Sequence, residues 1–187
     1  FTINRAKIDL PSVTGKMLDN NIAYIAISTF GDNTTNLLKQ YLQDMLKNNP
    51  KGLILDLRYN TGGYVTTAIE VVSQFIPKGI VMYEQEGNGN ETSYEAIPGG
   101  LATEIPLVVL VNEGSASASE ITAGAIQDYG RAPLVGVTTY GKGSAQNWIP
   151  LSNNEGAVRI TIAHWFTPKH RQINKVGLTP DYVVPIT

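Results

Sequence analysis

The chain has 187 residues, 42% of them hydrophobic and 16% charged, with a net charge of −2 and no cysteine. A chain of this length and balance folds as one globular domain that buries roughly 70% of its unfolded surface, and no block of like charge offers a seat to nucleic acid or an anionic membrane. The missing cysteines exclude disulfides, thiolate zinc sites and a cysteine nucleophile, and the central apolar run from Pro106 to Val111 is far too short to span a bilayer.

In chain order, the opening FTINRAKIDL reads as strand interior and lacks the charged start and apolar stretch of a signal peptide, so the chain is expected to be cut from a longer one. Ile22 to Ser28 is apolar and rich in branched side chains, which predicts a strand. Next, Leu37, Leu38, Tyr41, Leu42, Met45 and Leu46 recur at helical spacing, with Asp32 to Thr34 as capping candidates and Pro50 as the stop. Gly52 to Arg58 is a second strand, apolar almost throughout, as in a sheet covered on both faces. After the turn Asn60-Thr61-Gly62-Gly63, the stretch Tyr64 to Phe75 is read as a helix ended by Pro77. Residues 84–104 are polar and glycine-rich, which predicts a mobile loop or ragged hairpin. Pro106 to Asn112 is a third buried strand, Ser117 to Gly130 a helix and Ala132 to Val137 a fourth strand. Two alternating runs around Asn153-Asn154-Glu155-Gly156 then predict a hairpin. This succession predicts an α/β fold with a mixed sheet and flanking helices, without internal repeats or linkers.

Two stretches carry chemistry. GVTTYGKG, Gly136 to Gly143, comes close to a phosphate-binding P-loop. However, Gly143 replaces the hydroxyl that would ligate magnesium, and the segment that follows reads as a strand, with no helix N-terminus to receive phosphate. The other stretch is NEGSASASE, Asn112 to Glu120, at the carboxyl end of the third strand, where open α/β sheets place their ligands. A helix starting there offers unpaired N–H groups and a partial positive charge to a developing oxyanion. Ser117-x-x-Glu120 equally fits a capping box, in which the serine merely caps the helix. From this stretch alone both readings stand.

A serine nucleophile needs a base. His164 lies in an alternating strand and His170 in a polar turn, away from any site mouth, and the pair without a carboxylate cluster makes a poor metal site. A lysine amine serves instead when it is uncharged, a state that burial favours. Lys142, between Gly141 and Gly143, is the candidate; the plain alternative is a solvated lysine in a glycine turn.

The segment from Leu107 to Gln146, LVVLVNEGSASASEITAGAIQDYGRAPLVGVTTYGKGSAQ, resembles the active-site core of the carboxyl-terminal processing peptidases, or tail-specific proteases. LILDLRYNTGGY before it and GLTPDYVV after it follow the same family's order of motifs, so the resemblance covers about the whole chain. It implies a crotonase- or Clp-like core and endoproteolysis near the C-termini of proteins, with no cofactor and no metal. It implies Ser117 as nucleophile, Lys142 as base and Gln146 as the residue assisting the lysine. The oxyanion donors would be the backbone N–H groups of Gly63 and Ala118, with Gly62 replacing Gly63 if the turn register differs by one. The implied partners are a substrate with an unstructured C-terminal tail and, in the full-length chain, a PDZ domain ahead of this core. Residues 1–187 are thus expected to be the catalytic core alone, from an extracytoplasmic, envelope-associated protein. Two rivals remain: a catalytically silent crotonase-like binder of peptides or apolar ligands, and an acyl-CoA enzyme of similar fold, which needs an acidic residue in the cleft.

Overall fold

The computed structural model describes residues 10–185, so the strand expected over 1–10 lies outside the described residues except for Leu10. The chain forms β1 (Val13–Leu18), β2 (Ile22–Ile27), α1 (Thr34–Leu46), β3 (Gly52–Asp56), α2 (Val65–Val72), β4 (Ile80–Glu86) and β5 (Glu91–Glu95). It continues with β6 (Leu107–Val111), α3 (Ala118–Asp128), β7 (Leu134–Gly136), β8 (Ser144–Pro150), β9 (Ala157–Phe166) and β10 (Tyr182–Val183). Six strands form one sheet in the order β1-β2-β3-β6-β7-β10. Every neighbouring pair in it is parallel except β1 with β2, so the sheet is mixed, as expected. The four remaining strands form a second, antiparallel sheet in the order β5-β4-β9-β8.

Alternation along the strands decides where the core sits. Ala23, Ile25 and Ile27 of β2, Leu53 and Leu55 of β3, and Leu107, Val109 and Val111 of β6 are buried on one face. Leu38, Leu42 and Met45 of α1, Val71 and Val72 of α2, and Ile121, Ala125 and Ile126 of α3 join them in a single cluster. Each large side chain so buried contributes roughly 1.5–3 kcal/mol. The uninterrupted apolar run of β3 predicts cover on both faces. Among the described residues only one face is fully covered: Ile54 of β3 and Val108 and Leu110 of β6 point the other way and stay half-exposed.

For residues 84–104 the hairpin alternative holds and the loop does not. Their first half belongs to a hairpin, β4 against β5, that turns over Gly87 to Asn90 and shifts register between Ile80 and Met82, and β4 also pairs with β9. Buried Val81 and Met82 at the start of β4 anchor it to the core. Its outward faces are polar, which conceals strands from an apolar pattern.

At the carboxyl end of β3, Asp56 is gripped by Arg58, whose Nε and Nη2 lie 2.9 and 2.6 Å from its two oxygens, and by the Tyr24 hydroxyl at 2.7 Å. Burial pushes the Asp56 carboxyl up, but the hydrogen bonds from Arg58 and Tyr24 outweigh it and hold the carboxyl below its ordinary value. Because the folded value lies below the unfolded one, this contribution is fully present above about pH 4 and fades as pH falls through the folded value. Urea unfolding should therefore show Asp56→Asn costing about 1–3 kcal/mol at pH 7. The difference from wild type should shrink below about pH 4; a constant difference down to pH 2 would contradict the assignment.

Candidate active site

The three loops that leave β3, β6 and β7 emerge at the carboxyl ends of adjacent parallel strands and meet in one place. Side-chain hydrogen bonds lock the first to the second. The Asn60 amide donates to the Ile27 carbonyl at 2.7 Å, while its side-chain oxygen accepts from the Gly62 N–H at 2.9 Å. The Ser115 hydroxyl donates to the Leu57 carbonyl and the Ser119 hydroxyl to the Asn60 carbonyl, both at 2.8 Å. Two of the three closely spaced serines are thus buried and spent on the scaffold. Ser117, between them, is left facing the cavity.

Ser117 sits at φ 56°, ψ −116°, a sparsely populated conformation for a residue with a side chain, at the junction where the loop becomes α3. Strain of this kind costs on the order of 1–3 kcal/mol and persists only where the surroundings impose it. Glu120 imposes it. Its fully buried carboxylate accepts four hydrogen bonds: from the Thr139 hydroxyl at 2.6 Å, Gly141 N–H at 2.7 Å, Lys142 N–H at 2.8 Å and Ser117 N–H at 2.9 Å. The last two fall on the same oxygen, so the backbones of Ser117 and Lys142 lie no farther apart than those two bonds laid end to end. The capping box is met through Glu120, whose own N–H has its bond at 2.8 Å to the Ser117 carbonyl. From the other side, the buried Trp165 ring donates to the Lys142 carbonyl at 3.0 Å.

Ser117, Lys142, Gln146 and Gly63 all line a cavity of about 260 Å³, together with Trp148, Arg159 and Trp165. Ser117 and Lys142 both line it, and their side chains are not hydrogen-bonded to each other among the described residues. Gln146 shares the cavity, yet its oxygen accepts from Arg159 on β9 and not from the lysine.

Neither the Gly63 nor the Ala118 N–H donates a hydrogen bond among the described residues. The Gly62 N–H is occupied by Asn60, so of the two glycines only Gly63 has its N–H available. A Cβ on Gly62 would come within 2.8 Å of the Ser117 Cβ, and one on Gly63, at φ 153°, would collide with the Phe30 carbonyl. Gly63→Ala should therefore lower kcat by about 10²–10³ if that N–H serves an oxyanion. It should also cost about 1–3 kcal/mol in urea unfolding from overpacking; a normal rate would remove Gly63 from the site.

The histidines stand elsewhere. His164 is half-buried on β9 and does not line the cavity, and His170 stacks on Tyr83 at 3.9 Å and contacts Glu91 at 3.2 Å. Among the described residues no group of three or more acidic or histidine side chains could hold a metal. Sequence reasoning read Glu120 only as a cap and gave no role to Asn60, Trp165 or Arg159. The spacing from Ser117 was the sole signal for Glu120, and nothing in one dimension marks the others.

A parallel-stranded α/β core with a strained serine at a helix start, sharing a cavity with a lysine beside two unclaimed backbone N–H groups, has the parts a hydrolase site requires. Residues 21–184 match the profile of Peptidase family S41. The chain is 40% identical over 98% of its length to a carboxyl-terminal-processing protease of Synechocystis sp., covering 44% of that protein. It is 38% identical over 99% of its length to carboxyl-terminal-processing peptidase 2, chloroplastic, of Arabidopsis thaliana, covering 38% of it. The solved photosystem II D1 C-terminal processing protease superposes with a TM-score of 0.87 at 32% identity, over 97% of this chain and 50% of that one. The chain belongs to peptidase family S41, the carboxyl-terminal processing proteases, and spans less than half the length of these two curated relatives.

Proposed function

We propose that this chain is the catalytic core of a serine endopeptidase that cuts near the C-termini of protein substrates through a Ser–Lys dyad. Lys142, uncharged, takes the proton of the Ser117 hydroxyl as its oxygen attacks the scissile carbonyl. The oxyanion is held by the N–H groups of Gly63 and Ala118, the second at the positive end of α3. The leaving amine departs with the proton from Lys142, and water hydrolyses the acyl-enzyme. Gln146 orients the lysine amine without adding charge. The observation that carries the reading is the attachment of the Ser117 and Lys142 backbones to one oxygen of buried Glu120, with both residues lining a common cavity.

β8 is the edge strand of its sheet and carries Gln146, so an extended substrate tail can add to it by main-chain hydrogen bonds. The acyl-CoA alternative needs a cleft carboxylate, and that of Glu120 is already filled by four donors from its own chain. A silent binder would need neither Ser117 nor Lys142. The full-length protein is proposed to carry a PDZ domain ahead of this core and to work outside the cytoplasm.

The test is incubation with a peptide ending in an unstructured apolar tail, with and without the upstream domain, read by mass spectrometry. A fluorophosphonate probe reports the nucleophile in parallel. Products together with labelling confined to Ser117 are expected; labelling of another residue, or cleavage that survives Ser117→Ala, overturns the reading.

A further inference from the structure

Arg159 is the unexplained cation of the cavity. It projects from β9 directly across from Trp148 on β8, with its guanidinium 5.9 Å from that ring's centroid and one N–H donated to the Gln146 oxygen. It lines the cavity that holds Ser117 and Lys142 and also an adjoining one of about 540 Å³, bounded by Thr61, Glu113, Ala116 and Tyr140. A guanidinium has five N–H donors, and among the described residues Arg159 has a single acceptor and no carboxylate within salt-bridge range. Arg58 makes the contrast. It borders a separate cleft of about 380 Å³, but Asp56 already accepts from it at 2.6 Å and cancels its charge. The acids near the catalytic cavity do not cancel Arg159: Glu120 is taken up by backbone donors and Thr139, and Glu113 is exposed at the rim.

We infer that Arg159 is a specificity-determining residue that binds a carboxylate of the substrate beside the bond to be cut. The Trp148 ring gives the guanidinium a cation–π neighbour, and a carboxylate accepts two parallel N–H bonds where the Gln146 amide accepts one. A charge-assisted pair is the stronger of the two, so the carboxylate displaces Gln146. The freed amide can then turn to Lys142, on the same cavity wall. Occupation by an anionic substrate thereby completes the site. The carboxylate can be the substrate's own C-terminus or a Glu or Asp side chain; the chemistry is shared, and the test separates the sources.

The inference rests on the peptidase reading of this cavity, so its test reads binding apart from cleavage. Both tryptophans of the chain line the cavity, and their fluorescence reports occupancy. Four acetylated peptides of one parent sequence would be titrated into Ser117→Ala protein: a free C-terminus against the amide, and an internal Glu against Gln. One carboxylate form is expected to bind about 10-fold more tightly than its neutral partner, less so as salt is raised. Whichever pair differs identifies the source. Adding Arg159→Met should collapse that ratio to about 1, and Arg159→Lys, which keeps charge but loses the fork, should retain about 3-fold. Equal affinities in all four, or a ratio that survives Arg159→Met, overturns the inference; if the wild type still cleaves, the peptidase reading stands. Absence of binding by every peptide counts against both.

Discussion

Lys142→Ala and Ser117→Ala should each reduce the rate of peptide cleavage by about 10⁴–10⁶, and the double variant should be no slower than either single one. A nucleophile and its base act as one unit, so removing either leaves only what substrate binding and the oxyanion donors supply. Lys142→Arg should be as inactive as the alanine, because a guanidinium does not give up its proton. The fold should survive all of these changes. Lys142 is anchored through its backbone N–H and carbonyl, to Glu120 and Trp165, and its side chain is half-exposed. Stability should stay within about 0.5 kcal/mol, as for side chains without a structural bond. Steady-state assays with urea unfolding on the same preparations decide the matter; a Lys142→Ala protein retaining a tenth of the wild-type rate would end the dyad.

The second large effect is expected at a residue that touches no substrate. Four donors from Ser117, Thr139, Gly141 and Lys142 converge on the two oxygens of Glu120. Glu120→Gln keeps the shape but replaces one acceptor with an NH₂ that faces N–H groups. It should cost about 3–5 kcal/mol, the range for breaking a buried charged network. Glu120→Ala leaves the same donors unsatisfied and should cost a similar amount. Where the variants still fold, kcat should fall by about 10²–10³ with KM little changed, because a misplaced dyad loses transition-state geometry before it loses binding. Fluorophosphonate labelling of Ser117 should slow in parallel. A Glu120→Gln enzyme with normal stability and rate would show that something other than this carboxylate holds the two loops together.

Glu120 also marks where linear reading stops. Its spacing from Ser117 is visible as a capping box, and one of its four hydrogen bonds is that cap. The other three reach Thr139, Gly141 and Lys142, at least 19 residues away in sequence, and only the adjacency of β6 and β7 brings them within range. Much the same holds for the three serines. Their hydroxyls are chemically alike in sequence, and the choice among them is made by the Leu57 and Asn60 carbonyls from the neighbouring strand's exit. Residues 84–104 left loop and ragged hairpin both open, because strands with polar outward faces carry no apolar period; β4 against β5 is the hairpin.

What the amino-acid order alone determined is considerable. Short apolar runs placed β2, β3, β6 and β7, and helical spacing with its stops placed the three helices, because burial leaves a pattern that survives in one dimension; β1 and β10 went unread. Small residues after each strand marked the turns, since a backbone N–H aimed at a ligand tolerates no side chain in its path. The tertiary structure alone decided which serine is left over, which carboxylate ties it to the lysine, and that Gln146 rests against Arg159 rather than the amine. Those are matters of direction and distance between segments far apart in the chain. Hydrogen bonds and charges act over a few ångströms in space and leave no period along the sequence.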